Sequence, residues 1–466
     1  MGVLAAVLQF ADLAGRELLL FAGIWFFVGL ADEVAVDLLW FWLRLRGRGK
    51  ALPFTPPANR CLRGPAAVLI PCWDEGGILE HTLSTCRGAW PHEACTFYVG
   101  CYRNDPATII AAQDGAAGDP RVRIVVVPRD GPTTKADCLN ALYDAIAADE
   151  RERGVLYRFV LLQDAEDHVH PLALDLIDDR LERADFVQLP VIPEPNSRSR
   201  WIAGHYADEF AENHLKTMVV RDWLRTALPA AGVGCAFRRD MLARIAEFRG
   251  APHPFAPECL TEDYELGLIV SALGGRSRFV RALDAEGRLI ATREYFPATI
   301  SAAVRQKARW IHGIAFQGWE RLGWSRGRAE TWMRLRDRRG PLTALVLLAG
   351  YLVVVIWAIT AAVEALGLLE REPIGNLLKA VVLVGAVGLV WRALMRFAFS
   401  SSQYGRAEGF RSIIRLPIAN IVTIVAARRA LAAYVRSLRG HEPVWDKTDH
   451  YRYTPPVTAA AASANA

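Results

Sequence analysis

Residues 159–168 read Phe159-Val160-Leu161-Leu162-Gln163-Asp164-Ala165-Glu166-Asp167-His168, a short β-rich run that ends in acidic side chains. Similar β-rich runs occupy residues 66–71, 96–101 and 122–127, and turn residues follow each of them. Strands that alternate with helical stretches predict an α/β fold with a mainly parallel, Rossmann-like sheet and helices on both faces. Ligands of such sheets gather at the carboxyl ends of the strands, so we expect the chemistry directly after the strands.

The acidic turn after this run has two interpretations. It is either a solvated turn or a site where Asp164 and Glu166 hold a divalent cation through hard carboxylate oxygens. His168 and His170 stand beside the turn, and we interpret them as surface or hydrogen-bonding groups instead of transition-metal ligands.

A second acidic group precedes the apolar stretch 264–273 and reads Leu260-Thr261-Glu262-Asp263. A carboxylate at a helix N-terminus is stabilised as an anion by the helix dipole and the free N–H groups. Thr261 as an N-cap followed by acids is also ordinary helix-start chemistry, so the motif alone favours a structural role.

A third feature lies in a helical stretch and reads Gln306-Lys307-Ala308-Arg309-Trp310. Spacings of three and four residues place Gln306, Arg309 and Trp310 on one helix face. An amide, a cation and an aromatic ring together are unusual for a face that only packs, although an interfacial Arg–Trp helix is the alternative.

The composition indicates a soluble body plus membrane segments, because the chain has 466 residues of which 52% are hydrophobic. The formal net charge is only +5, and the basic residues lie beside apolar stretches. This distribution suits membrane lipids and argues against nucleic acid as a partner. The eight cysteines lie in the polar middle without metal-like spacing and predict reduced thiols.

Three stretches are predicted to cross a bilayer: residues 18–42, 342–363 and 377–399. The first contains Asp32, Glu33 and Asp37, which must be paired, protonated or turned toward protein, because burying charge in hydrocarbon costs several kcal/mol.

Three other stretches are predicted to lie at the membrane surface. Residues 410–438 have a short apolar core between arginines, which favours an interfacial helix over a fourth crossing. Residues 197–223 and 296–332 have the pattern of amphipathic helices under a membrane.

The basic flanks of the spans set the expected orientation. Arg44, Arg46, Arg48 and Lys50 follow the first span, and four arginines between residues 334 and 339 precede the second. The positive-inside rule then places residues 50–340 in the cytoplasm. We expect a multi-pass membrane protein whose polar middle faces the cytoplasm.

Taken together and in this order, the motifs resemble the inverting family 2 glycosyltransferases of GT-A fold, particularly the membrane-integrated processive branch of cellulose, chitin and hyaluronan synthases. That branch carries a DxD-like metal motif, a TED motif and a QxxRW motif. The matching residues here are Asp164-Ala165-Glu166, Thr261-Glu262-Asp263 and Gln306-x-x-Arg309-Trp310. The resemblance covers residues 65–330.

Further segments extend the resemblance, with two departures. The run from Leu69 to Glu75 is similar to the family's first-strand signature, the run from Lys135 to Asn140 to its Lys-containing helix start, and the run from Gly232 to Arg239 to its glycine-rich acceptor segment. Glu166 stands where most members have Asp. Arg103-Asn104-Asp105 replaces the usual paired acids.

The resemblance implies roles for individual residues. Asp263 would be the general base, and Mg²⁺ or Mn²⁺ would bind Asp164 and Glu166. Glu262, Gln306, Arg309 and Trp310 would complete the catalytic set. The residues expected to bind the nucleotide sugar are Pro71, Trp73, Glu75, Lys135 and Asp164.

The implied activity is transfer of a sugar from a nucleotide-diphosphate donor, UDP-linked by expectation, to a growing polysaccharide in exopolysaccharide synthesis. The acceptor would be polysaccharide or lipid-linked, and an outer-membrane or periplasmic export partner is expected. One alternative is a non-processive enzyme that adds a single sugar to a lipid carrier. Another is a catalytically silent membrane scaffold.

These observations divide the chain into five segments. They are an N-terminal span with its basic flank (1–50), a GT-A domain (51–295), the QxxRW and interfacial helices (296–340), two spans (341–400), and an interfacial helix with a C-terminal tail (401–466).

Overall fold

The computed structural model describes residues 2–367 and 373–440. The strands are β1 (Leu52–Pro53), β2 (Ala66–Pro71), β3 (Cys95–Tyr102), β4 (Val122–Val127), β5 (Phe159–Leu162), β6 (Phe186–Gln188), β7 (Val191–Pro193), β8 (Cys235–Arg238), β9 (Ser277–Phe279), β10 (Ala282–Leu283) and β11 (Thr292–Glu294). The helices are α1 (Gly2–Leu45), α2 (Leu79–Ala89), α3 (Pro106–Ala116), α4 (Lys135–Arg153), α5 (Ala173–Arg180), α6 (Ile202–Glu212), α7 (Met218–Trp223), α8 (Arg239–Arg249), α9 (Glu262–Ala272), α10 (Ile300–Ile311), α11 (Gly318–Leu322), α12 (Arg328–Arg338), α13 (Gly340–Ala365), α14 (Asn376–Tyr404) and α15 (Arg406–Ser437). Two π-helical turns occupy Asn213–Thr217 and His312–Gln317.

The described chain forms two compact units. The sheet unit consists of residues 51–196 and 227–297, and the helical unit consists of residues 2–50, 197–226, 298–367 and 373–440. The predicted tail beyond residue 440 lies outside the described residues.

The sheet unit contains a seven-stranded sheet with the order β4-β3-β2-β5-β8-β6-β9. All of its neighbouring strands run parallel except β8, which is antiparallel to both β5 and β6. The predicted α/β fold with a mainly parallel sheet is therefore confirmed. The strands β2 and β4 begin and end at the predicted residues, and β3 extends one residue further at each end.

Strands form here because short apolar runs are buried on both faces. Every residue of β3 and β5 is buried, which is typical of central parallel strands. Val68, Phe97 and Leu161 pack in one core with Leu83 of α2 and Leu176 of α5. Burying a side chain of this size contributes about 1.5–3 kcal/mol. This core fixes the strand ends that carry the candidate site.

The helical unit contains four helices that are long and apolar enough to cross a membrane: α1, α13, α14 and α15. The predicted spans 18–42, 342–363 and 377–399 lie within α1, α13 and α14. These helices expose many large apolar side chains, among them Phe27, Val354 and Leu383. Such surfaces are expected to face lipid.

The three acidic residues of the predicted first span are paired inside the helical unit. Asp32 and Glu33 form salt bridges with Arg336 and Arg339. Asp37 is fully buried, and the Lys216 ammonium lies 2.5 Å from its Oδ1 atom. Basic side chains of the same chain therefore neutralise these three carboxylates, as burial beside hydrocarbon requires.

The predicted amphipathic stretches are helical and pack on three of the apolar helices, α1, α14 and α15. Residues 197–223 contain α6 and α7, and residues 296–332 contain α10, α11 and part of α12. Helix α6 contacts both α14 and α15, and α10 contacts α15.

Helix α15 contacts these amphipathic helices near both of its ends. Near its start, the buried Arg415 guanidinium donates two hydrogen bonds to Asp208 of α6, at 2.8 and 2.9 Å. Near its end, the ring of Tyr434 stacks on Phe316 at 4.7 Å, and its hydroxyl hydrogen-bonds Glu320 of α11. Helix α15 also packs on α13 and α14, and it is long and apolar enough to cross a membrane. An interfacial position for residues 410–438 therefore stays a prediction.

Candidate active site

The carboxyl ends of β2 and β5 lie side by side, because Leu69 of β2 is paired with Leu162 of β5 in a parallel ladder. The predicted donor-site residues Pro71, Trp73 and Glu75 end and follow β2, and the acidic turn follows β5. The sheet therefore brings these two predicted groups to one edge.

The turn after β2 is held by hydrogen bonds to the start of α3. The Asp74 N–H donates to Asp105 Oδ2 at 2.6 Å, and the Glu75 N–H donates to Thr108 Oγ1 at 2.8 Å. Asp74 has φ +55°, a left-handed conformation in which Asn and Asp are among the tolerated residues. Asp105 is thus engaged with the backbone of this turn.

Trp73 packs against the loop that follows β4. A Cβ atom added to Gly131 would lie 2.2 Å from Cζ3 of Trp73, so only glycine permits this contact. The Trp73 ring also meets Tyr102 edge to face, with centroids 5.1 Å apart. Binding of the nucleotide sugar by Trp73 stays a prediction.

The turn after β3, where the usual paired acids are replaced, is bonded to the same loop. Asn104 donates to the Gly131 carbonyl at 2.7 Å and accepts from the Gly131 N–H at 2.8 Å. The exposed Arg103 pairs with Asp130 of that loop at 3.0 Å.

Lys135 is the first residue of α4, as the sequence predicts for a lysine at a helix start. Thr134 caps the helix through a reciprocal capping box with Asp137. The Lys135 Nζ atom lies 2.5 Å from Asp164 Oδ1. Burial opposes the charge of Lys135, but the carboxylates of Asp164, Glu262 and Asp263 outweigh it and raise its pKa.

Asp263 and Glu262 lie in the first turn of α9. A Cβ atom added to Gly232 would lie 2.6 Å from Asp263 Oδ2 and 3.5 Å from Lys135 Nζ. The predicted base Asp263 and two residues predicted to bind the nucleotide sugar, Lys135 and Asp164, therefore lie close together. The Thr261 side chain forms no cap hydrogen bond, and its buried hydroxyl has no partner among the described residues. Thr261 nevertheless occupies the N-cap position, and Glu262 and Asp263 follow it in the first turn, so the helix begins where the sequence predicts.

Two buried glutamines that sequence reasoning missed hold the glycine segment beside Asp263. Gln163 accepts from the Gly234 N–H at 2.6 Å. Gln188 accepts from the Ala231 N–H at 2.8 Å and donates to the Val233 carbonyl at 2.9 Å. The only sequence signal for a site role of Gln163 is its position directly before Asp164. No sequence signal indicates such a role for Gln188.

One carboxylate of the acidic turn after β5 is buried and only partly hydrogen-bonded. Asp167 accepts from the Asp164 N–H at 2.7 Å, while its buried Oδ1 atom has no hydrogen bond among the described residues. Burial and then the charges of Glu294, Asp164 and Glu166 raise the pKa of Asp167 well above its usual value. A cation at Asp164 and Glu166 fits this turn, because it would offset the repulsion between these neighbouring carboxylates.

The ring of His170 is a hydrogen-bonding group, whereas the buried Nδ1 atom of His168 has no hydrogen bond among the described residues and its ring meets Tyr295 edge to face. The backbone of His168 forms two hydrogen bonds with Arg293, at 2.7 and 3.0 Å, which places Glu294 near the acidic turn. The ring of His170 lies 3.2 Å from Asp284. Burial lowers the pKa of both rings.

Gln306, Arg309 and Trp310 lie on α10, in the helical unit. Trp310 meets the rings of Tyr206 and Phe210, with centroids 6.0 and 6.4 Å away. The other predicted site residues belong to the sheet unit.

Among the described residues, three acidic groups converge closely enough for a metal only at Glu33, Asp37 and Glu212 of the helical unit. The Lys216 ammonium occupies that position, 2.5 Å from Asp37 and 2.7 Å from Glu212. This cluster is an ion-pair network. Two carboxylates such as Asp164 and Glu166 suffice for a cation whose other ligands are substrate phosphates.

Comparison with known proteins assigns the family. Residues 64–313 match the family described as "Glycosyltransferase like family 2", which is more than half of the chain. This chain is a family 2 glycosyltransferase. The resemblance to that family is thereby confirmed, and the chain is an enzyme of the transferase class.

The curated relatives of this glycosyltransferase include a bacteriophage adsorption protein B of Escherichia coli strain K12 and a bacteriophage N4 adsorption protein B of E. coli O157:H7. Each is 34% identical over 408 residues, which are 83% of this chain and 54% of the relative. The chain thus spans about half the length of the curated relatives it matches. The turn 102–106 and Trp445-Asp446-Lys447-Thr448 resemble this type of protein in sequence, and residues 445–448 lie outside the described residues.

Among solved structures, this glycosyltransferase is similar to a mannosyltransferase from Pyrobaculum calidifontis in complex with GDP-mannose and Mn²⁺. The TM-score is 0.52 at 15% identity, over 90% of this chain and 99% of the other. At this identity the likeness shows the fold alone, and the predicted GT-A fold is confirmed.

Proposed function

We propose that this glycosyltransferase moves a sugar from a UDP-linked donor to a growing polysaccharide, with inversion, at the cytoplasmic face of the bacterial inner membrane. The observation that carries the proposal is the Lys135 ammonium, which contacts Asp164 and lies beside Gly232 and Asp263. One group thereby connects the donor side of the site with the base.

Asp263 is the general base in this proposal. Its carboxylate takes the proton of the acceptor hydroxyl as that oxygen attacks the anomeric carbon from the face opposite the diphosphate. A positioned base contributes about 10²–10⁴ in rate. Attack from the opposite face converts an α-linked donor into a β-linked product. Glu262, which is buried next to Asp263, adds negative charge that keeps Lys135 protonated.

The diphosphate leaves only if its developing charge is stabilised. Lys135 supplies fixed positive charge at the donor side. Asp164 and Glu166 would hold Mg²⁺ or Mn²⁺, which would neutralise the leaving diphosphate. Pro71, Trp73 and Glu75 form the turn proposed to carry the nucleotide.

The QxxRW residues complete the proposed set. Arg309 would add a cation for the phosphates, Gln306 an amide, and Trp310 an aromatic surface for the acceptor sugar. Their support is the sequence motif and its place on α10, where all three share one face.

The proposed location follows from the basic flanks and the four apolar helices. The sheet unit lies in the cytoplasm in this proposal, and the elongating product leaves through the membrane. An outer-membrane or periplasmic export partner would receive it.

The test is nucleotide release by the purified full chain in lipid nanodiscs, with a panel of UDP- and GDP-sugars. We expect release of UDP with at least one donor and a product ladder on a gel. A single added sugar on a lipid carrier would replace the polymer proposal with the non-processive one. Nucleotide binding without turnover of any donor would support the silent scaffold.

A further inference from the structure

A polar, open cavity lies among the helices of the helical unit. Its volume is about 220 Å³. One water needs only about 10–15 Å³, so the cavity has room for a larger ligand. Its walls come from α1, α6 with the following π-helical turn, α12, α14 and the residue after α12. The residues that matter here are Glu33, Glu212, Arg336, Arg339, Arg392 and Arg396.

The charges around this cavity do not balance. Among the described residues, the network joining α1, Lys216 and the arginines contains four carboxylates and five cations. The carboxylates are those of Asp32, Glu33, Asp37 and Glu212, and the cations are Lys216, Arg336, Arg339, Arg392 and Arg396.

Arg396 is the cation in excess. Its nearest carboxylate is Glu212 at 3.7 Å, and Glu212 already accepts hydrogen bonds from Lys216 at 2.7 Å and Arg392 at 2.7 Å. The Nε atom of Arg396 is buried and has no hydrogen bond among the described residues, and the side chain is only 12% exposed. A buried guanidinium without its own anion is unfavourable, so the cavity calls for one negative charge.

The neighbouring acids do not provide that charge. Glu209 also lines the cavity, but Lys307 donates to both of its oxygens at 2.7 Å. Asp337 is held by two hydrogen bonds from Arg221 at 2.8 Å. Each of these acids is matched by its own cation.

The position of the cavity on an apolar helix favours a membrane lipid as the source of the negative charge. Arg392 and Arg396 belong to α14, an apolar helix long enough to cross a membrane. Leu389 is 59% exposed and precedes Arg392 by one helical turn on the same face. Acyl chains on that face would bring a headgroup to the cavity, and basic pockets between such helices are suited to lipid headgroups.

We propose that this cavity binds the singly charged phosphodiester headgroup of an anionic phospholipid, with Arg396 as its principal cation. The proposal is independent of the transfer chemistry, because it involves none of the residues placed in the active site.

The test is lipid retention by the full chain in detergent, measured by native mass spectrometry with phosphatidylglycerol or phosphatidylcholine added. We expect retention of phosphatidylglycerol over phosphatidylcholine, and a loss of about tenfold in Arg396→Gln, which corresponds to about 1.4 kcal/mol. Arg428→Gln, an exposed arginine of α15 outside the cavity lining, is the matched control and should retain the lipid.

A second variant guards against simple unfolding. Thr217→Phe fills the cavity without changing any charge, and it should lower retention as Arg396→Gln does. Equal retention in wild type and both variants would overturn the proposal, as would equal retention of the two lipids. Displacement of phosphatidylglycerol by millimolar inorganic phosphate would identify a free anion as the ligand and overturn the lipid assignment.

Discussion

The Nζ atom of Lys135 lies 2.5 Å from the Oδ1 atom of Asp164, although the two residues come from a helix start and a strand end 29 positions apart. Lys135 also lies within the field of Glu262 and Asp263, which helps to raise its pKa. The acidic motifs of this glycosyltransferase are therefore joined through one ammonium group.

Lys135→Met should lower the transfer rate by about 10²–10³, as the loss of a fixed charge-stabilising donor does in other enzymes. The measurement is nucleotide release at saturating donor. Lys50→Met, at an exposed lysine, is the control. Transfer by Lys135→Met at the rate of the control would remove Lys135 from the site.

The raised pKa of Lys135 also makes a prediction about pH. Stabilisation by the ammonium is fully present below the ordinary lysine value of about 10.4 and is lost only as pH rises through the higher folded-state pKa. The difference in Tm between wild type and Lys135→Met should stay constant between about pH 6 and 9. A difference that shrinks within that range would contradict the assignment.

Asp263→Asn should lower transfer by about 10²–10⁴ while donor affinity changes little, because the amide cannot accept the acceptor proton. Transfer and donor binding need separate assays. Glu247→Gln changes an exposed acid of α8 in the same way and should leave both unchanged. Near-normal transfer by Asp263→Asn would exclude it as the base.

Gly232→Ala should fold and yet lose about 10²-fold in transfer, the cost of displacing a reacting group by about 1 Å. Its new Cβ would lie 2.6 Å from Asp263 Oδ2, so the carboxylate has to move. Gly274→Ala is the matched control, because φ is +75° there against +79° at Gly232 and a Cβ would meet nothing within 4 Å.

Both glycine variants should lose about 1–2 kcal/mol of stability from the left-handed backbone. Only Gly232→Ala should lose activity. Equal activity in the two variants would mean that Asp263 tolerates displacement.

Chelation of divalent ions should abolish nucleotide release, and Mn²⁺ added back should restore it. Glu166→Gln should raise the half-maximal Mn²⁺ concentration by about tenfold or more, because one proposed oxygen ligand loses its charge. Glu93→Gln, at an exposed acid, should not. Nucleotide release that continues unchanged after chelation would contradict the proposal that a divalent cation is needed.

The two ends of α15 should lie on the same side of the membrane, because Arg415 and Tyr434 contact α6 and α11. In a Cys61→Ser background, Arg406→Cys and Leu438→Cys should react with an impermeant maleimide from the cytoplasmic side. Leu366→Cys, after α13, should react from the other side. Opposite labelling of positions 406 and 438 would establish a crossing.

The sequence was sufficient for the four strands β2 to β5 and for the motif positions, but it did not predict β6, β8 and β9 of the same sheet. Buried parallel strands such as β2 and β5 are continuous apolar runs, and their carboxyl ends necessarily share an edge. The acids Asp164 and Glu166 therefore follow the end of β5, as predicted. Glu262 and Asp263 begin α9, as their helix-start pattern predicts.

The contacts between distant segments were not predictable. Nothing in the spacing pairs Lys135 with Asp164, and nothing at Gln188 indicates that it holds the backbone of residues 231 and 233. Thr261 is a residue type that commonly caps helices and it stands at the N-cap position, yet its hydroxyl forms no capping hydrogen bond. These outcomes depend on packing between elements, which a local pattern does not encode.

The pairing of Asp37 with Lys216 also constrains how this protein is made. The two residues are 179 positions apart, so α1 is synthesised long before its counter-ion exists. A carboxylate in an apolar helix without a partner disfavours stable residence in the hydrocarbon core. We therefore expect α1 to reach its final position in the membrane only after Lys216 has been synthesised and can pair with Asp37.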